Sequence, residues 1–121
     1  MKYIAIFIGG GLGACLRYLF ASIPSIGLFP VGTFAANLLG AFLMGYFAAV
    51  SLRMFTHHPH LKKGLTTGLI GAFTTFSTFQ YELVYLLNQT HWWMLFLYML
   101  LSYVGGIVCC WTGYRTGGVQ R

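Results

Sequence analysis

The chain has 121 residues, of which 58% are apolar and only 7% charged, and its mean hydropathy is +0.75. A soluble domain of this size carries about 25% charged residues, and seven Lys and Arg with a single acid, Glu82, are too few to cover a water-facing surface. The composition excludes a soluble enzyme and a disordered tail, and it places the chain in lipid.

Four stretches reach the roughly 20 apolar residues that a membrane helix needs. The first covers about residues 3–21 and stops at Ser22-Ile23-Pro24-Ser25. Lys2 before an apolar run also fits a cleaved signal peptide. However, Arg17 falls late in that run and three further spans define a membrane protein without it, so the segment is read as a span. Arg17 has two readings: a cation snorkelling to the interface, or a cation at an anion vestibule.

The second span, about residues 31–52, starts just after Pro30, which suits a helix entry. Thr33, Asn37, Ala41 and Met44 share one of its faces, a polar track fading to apolar. Asn37 is either interhelical glue, worth about 0.6–2 kcal/mol, or a source of two amide donors for a small anion.

The third span, about residues 65–87, lies between Lys62-Lys63 and Asn88-Gln89 and carries the strongest signal. Gly71-Ala72-Phe73-Thr74-Thr75-Phe76-Ser77-Thr78-Phe79 puts four hydroxyls and a glycine near the middle of a helix that should be uniformly apolar. Such hydroxyls either bond back to the helix and kink it, or mark a break, which is tolerated at this depth only where it is buried in protein or lines a cavity. Transporters place ion sites at such breaks: freed carbonyls hold cations and freed N–H groups attract anions. Phe76 and Phe79 lie close on one face, and a phenyl ring offers a positive edge without a permanent charge. Glu82 sits three residues further on, near the end of the span, and a lone intramembrane acid raises proton coupling.

The fourth span, about residues 92–114, carries Trp92, Trp93, Trp111 and Tyr114 at its ends, where rings sit at the lipid boundary. Tyr98, Ser102 and Gly106 share a face, so Tyr98 and Ser102 can extend a polar path. Gly9 with Gly13, and Gly64 with Gly68, have the spacing of close helix contacts, and Gly105-Gly106 allows another. The spans use most of the chain, which reads as one all-α, four-helix membrane unit.

Lys2, Arg53, Lys62, Lys63, Arg115 and Arg121 flank one side and only Arg17 the other, which predicts cytoplasmic termini. These basic residues form no patch, so nucleic acid is not an expected partner. Cys15, Cys109 and Cys110 lie in apolar runs as free thiols. His57, His58 and His60 read as solvated loop without metal-ligand spacing.

The chain resembles the CrcB/Fluc fluoride channels over its whole length. The resemblance rests on Gly9-Gly10-Gly11-Leu12-Gly13-Ala14 with Arg17-Tyr18, on Gly32-Thr33 with Ala36-Asn37-Leu38-Leu39-Gly40, and on Thr74-Thr75-Phe76-Ser77-Thr78-Phe79. It supplies the ion, which composition and spacing do not. It implies a passive, multi-pass channel of the inner (plasma) membrane that exports fluoride and relieves its toxicity. It also implies a third helix broken mid-membrane, and an antiparallel, dual-topology dimer with two pores and a structural Na+ at its centre. By resemblance Phe76 and Phe79 are the pore phenylalanines and Asn37 the pore asparagine. Gly71 and Thr74 supply the sodium carbonyls, Ser77, Thr78 and Ser102 the polar track, and Arg17 and Glu82 lie at the vestibule. The family often has a second hydroxyl where this chain has Gly106, which leaves the outer track shorter or water-filled.

An antiparallel homodimer calls for balanced basic residues, and six against one is not balanced. Some family members are instead two homologous chains of opposite fixed orientation, so a heterodimer with an oppositely oriented homologue stands beside the homodimer. The retained phenylalanines and asparagine favour the homodimer. Two other functions compete. A proton-coupled small multidrug exporter would use Glu82, though that family's glutamate sits in the first helix, where this chain has none. A non-transporting assembly subunit would leave the hydroxyl cluster unexplained. Enzyme activity is not expected, for want of a buried acid pair, a Cys/His pair or a phosphate loop.

Overall fold

The computed structural model describes residues 1–55 and 58–118, without the side chains of residues 51–54. Arg121, His57 and the Arg53 side chain, which enter the sequence reading, lie outside the described residues. The described residues form helices joined by short non-helical segments, with an isolated antiparallel bridge between Ile26 and Phe29. Its order is α1 (Lys2–Ala21), α2 (Val31–Met54), α3 (Pro59–Lys63), a π-helical stretch (Gly64–Ile70), α4 (Gly71–Phe73), α5 (Phe76–Asn88) and α6 (Trp92–Gly118). Three segments among the described residues are long and apolar enough to cross a membrane: Lys2–Ala21, Val31–Val50 and Trp92–Gly118.

Two helix pairs carry most of the packing, and glycines set both. Helix α1 lies along the π stretch. A Cβ on Gly9 would collide with the Gly64 carbonyl, and one on Gly13 with the Leu69 carbonyl. The small residues spaced four apart in the sequence therefore do bring two backbones together. Helix α2 lies along α6 in the same way, with Gly45 against the Cys110 carbonyl and Gly113 against that of Phe42. Of the expected Gly105-Gly106 contact only half forms: Gly105 abuts the Leu38 side chain, and Gly106 faces open space.

Helix α1 turns into α2 through a tight bend in which Ile26 and Phe29 exchange backbone hydrogen bonds at 3.1 and 3.2 Å. Gly27, at φ +62°, supplies the left-handed residue that such a bend needs. Helix α5 ends in paired N–H bonds from Thr90 to Leu87 and from His91 to Leu86. That Schellman geometry puts Thr90 at φ 58°, a place glycine usually fills.

Residues of α2, α5 and the loop before α2 close on Tyr98 of α6, which is fully buried. Its ring meets Phe79 at 5.0 Å and Phe29 at 5.3 Å, both edge to face, and Leu86 and Leu95 complete the cluster. At the terminal end, Arg115 covers the Trp111 ring at 4.7 Å and Lys2 the Tyr3 ring at 5.1 Å. Both cations thereby keep an aromatic partner near the interface.

Candidate functional site

Helicity stops between α4 and α5 because Asn37 takes over the backbone of Thr75. The Thr75 N–H donates to Asn37 Oδ1 at 2.8 Å, and Asn37 Nδ2 donates to the Thr75 carbonyl at 3.0 Å. Thr74 and Thr75 are accordingly extended, at φ −77°, ψ 152° and φ −144°, ψ 120°. The Thr75 hydroxyl then caps α5, accepting from the Thr78 N–H at 3.2 Å and donating to Thr78 Oγ1 at 3.0 Å. Ser77 Oγ stands 3.4 Å from the same hydroxyl.

In a continuous helix the N–H of residue i+4 closes on the carbonyl of residue i. Thr75 N–H would serve Gly71, and Thr78 N–H would serve Thr74. Here Asn37 Oδ1 and Thr75 Oγ1 take those two donors. The carbonyls of Gly71 and Thr74 thus lose their helical partners, while the Thr74 side chain is occupied with the Ile70 carbonyl at 3.0 Å.

A second polar group lies one turn nearer the loop side. Thr33 Oγ1 donates to Glu82 Oε1 at 2.6 Å, and the Tyr98 hydroxyl donates to Oε2 at 2.7 Å. Glu82 is half-buried and joins α2, α5 and α6. A cleft of about 310 Å³ opens beside both groups, lined among others by Arg17, Tyr18, Thr33, Thr75 and Thr78.

Asn37 and Thr78 are tied together through Thr75, and Phe79 and Glu82 through Tyr98, while Arg17 from α1 lines the cleft with Thr33, Thr75 and Thr78. Phe76 and Phe79 have ring centroids 6.2 Å apart, but Phe79 packs on Tyr98 whereas Phe76 is 71% exposed. Gly71, Ser77 and Thr78 are exposed as well. Ser102 is half-buried on α6 and takes part in none of the bonds above. In the sequence Thr33, Thr75 and Tyr98 stand out only as members of a polar face, of the hydroxyl cluster and of a polar path; in the structure they are the partners of Glu82 and Asn37.

This arrangement can be set beside known proteins. The profile of the family described as CrcB-like protein, Camphor Resistance (CrcB), matches residues 4–114. The chain belongs to the CrcB family. It is 53% identical over 118 residues to Fluoride-specific ion channel FluC 1 of Staphylococcus epidermidis strain ATCC 35984, covering 98% of each chain. It is 51% identical to the protein of that name from Staphylococcus aureus strain NCTC 8325, again with 98% of each covered. The S. aureus Mu50 protein of that name is also 51% identical, over 98% of this chain and 80% of its own length. Within this CrcB chain, the motifs that carry the family resemblance supply the residues of the Asn37–Thr75 clamp and the hydroxyl row after it.

Proposed function

We propose that this chain is a fluoride-selective passive ion channel, not an enzyme, which exports fluoride from the cytoplasm and relieves its toxicity. The observation that carries the reading is the near-full-length identity to relatives named fluoride-specific ion channels. The site geometry gives the reading a mechanism.

Fluoride is small and strongly hydrated, so a narrow pore must replace its water with close donors. Arg17 raises the local anion concentration at the cleft mouth. Beyond it the ion meets hydroxyls rather than cations: Thr78, Ser77 and, across on α6, Ser102. Asn37 spends one amide hydrogen on Thr75 and keeps the second for an anion. The ring edges of Phe76 and Phe79 supply weak positive charge. A fixed cation here would hold the ion too tightly to release it, whereas this set binds and lets go. Glu82 lies at the vestibule, where Thr33 and Tyr98 hold it in place.

The same reading makes the α3-to-α5 segment one interrupted crossing, the third of four, in the inner (plasma) membrane. It also calls for a second copy. Gly71, Phe76, Ser77 and Thr78 are exposed on a single chain at the depth of the break, and Gly10 and Gly11 have open space beside them. Lipid offers no hydrogen bonds to such groups, so a partner subunit must cover them. An antiparallel dimer does this, as a homodimer or with an oppositely oriented homologue.

The freed carbonyls of Gly71 and Thr74 fit the structural Na+ expected at the dimer centre, because a hard cation prefers oxygen ligands and these two have no helical N–H. Bound there, the ion would supply positive charge between two subunits and hold the break open.

The test is fluoride efflux from liposomes containing only this chain. Fast efflux of fluoride without chloride is expected. Efflux of both ions at equal rates would overturn the assignment.

A further inference from the structure

A second cleft, of about 340 Å³, lies between the loop that joins α1 to α2 and the last turns of α5. Gly27, Leu28 and Pro30 form its loop wall, and Tyr81, Glu82 and Tyr85 the opposite one. Among the described residues no basic side chain lines it, and Glu82 is the single acid of the whole chain.

We propose that this cleft binds an organic ammonium cation. Tyr81 and Tyr85 stand four residues apart on one helix face, line the cleft and are 72% and 49% exposed on the single chain. A cation over a tyrosine face is attracted by the ring quadrupole, more strongly as water is excluded. Glu82 supplies the countercharge, and its position is fixed from behind by Thr33 and Tyr98. The cleft suits an alkylated ammonium better than a metal ion. A hard metal cation needs about six oxygens, whereas here one carboxylate, with a donor already on each oxygen, stands among aromatic and aliphatic carbon. The volume lies at the lower end for small-ligand pockets.

The ammonium comes either from a soluble small molecule or from the headgroup of a neighbouring lipid, since the cleft lies against the loop between two apolar helices. Saturation-transfer NMR on the methyl protons of tetramethylammonium, titrated into the purified chain in maltoside detergent, tests the site. Saturable binding is expected. It should weaken about tenfold or more in the Tyr81→Leu, Tyr85→Leu double variant and in Glu82→Gln, and persist in the Tyr81→Phe, Tyr85→Phe double variant. The Phe pair keeps the ring faces and guards against a folding artefact.

In nanodiscs, competition by phosphatidylethanolamine but not phosphatidylglycerol would assign a lipid headgroup as the occupant, and its absence a soluble ammonium. Both outcomes uphold the site. A signal that never saturates, or binding equal in wild type and the Leu pair, would overturn it. The readout involves no fluoride flux, so its failure is distinct from failure of the channel reading.

Discussion

Asn37 and Thr75, 38 residues apart, pair like two peptide groups: the Thr75 N–H reaches Oδ1 at 2.8 Å, and Nδ2 reaches the Thr75 carbonyl at 3.0 Å. Lipid cannot satisfy either backbone group, so the extended turn at Thr74-Thr75 exists only while the asparagine is there. Removing the side chain leaves a buried donor and a buried acceptor without partners, at about 1–3 kcal/mol each. Asn37→Ala should lower the thermal unfolding midpoint and abolish fluoride efflux together. Asn37→Asp keeps the acceptor and loses the donor, and should retain part of the stability. Scanning fluorimetry beside efflux assays checks both.

Thr75 also caps α5 through its hydroxyl. Thr75→Val keeps the shape and removes the cap, which should cost about 1 kcal/mol. Thr75→Ser should cost little. A Val variant as stable as wild type would mean that Asn37 alone sustains the break.

Much of this was legible beforehand. Three of the four expected apolar spans, about residues 3–21, 31–52 and 92–114, fall on the membrane-length helices Lys2–Ala21, Val31–Val50 and Trp92–Gly118, and the spacing of Gly9 with Gly13 announced a close helix contact that forms. The pairings across the fold were not legible. Asn37 showed itself as a polar residue in want of a partner, but nothing in its neighbours pointed to Thr75. The same holds for Thr33 and Glu82, 49 residues apart. The π-helical stretch at Gly64–Ile70 was also hidden, because its 7 residues are too few for any helical period to show. Tyr98 read as part of a polar track. In the fold it is the buried centre of an aromatic cluster with only its hydroxyl engaged, on Glu82.

The glycines make a graded series. Gly45→Ala and Gly113→Ala each drive a methyl into a backbone carbonyl that cannot yield, whereas Gly106→Ala meets open space. The first two should cost about 1–3 kcal/mol and reduce the yield of monodisperse protein. Gly106→Ala should be tolerated by the single chain. Equal loss in all three would mean that Gly106 is covered by a partner.

Glu82 separates passive from coupled transport. Glu82→Gln removes one acceptor, so either Thr33 or Tyr98 loses its partner. A passive channel should slow but keep fluoride efflux, with no dependence on a proton gradient. Complete loss in a folded variant would favour a proton-coupled exporter.

The most direct measurement is fluoride efflux from liposomes that hold only this chain, with chloride as control and Phe76→Ile beside wild type. Phe76 is exposed on the single chain and should do its work in the assembled pore, so the substitution removes a ring edge with little effect on folding. Rapid fluoride-only efflux that collapses in the variant is the predicted result. Efflux that appears only after an oppositely oriented homologue is added would replace the homodimer with a heterodimer. No fluoride efflux under either condition would contradict the channel itself.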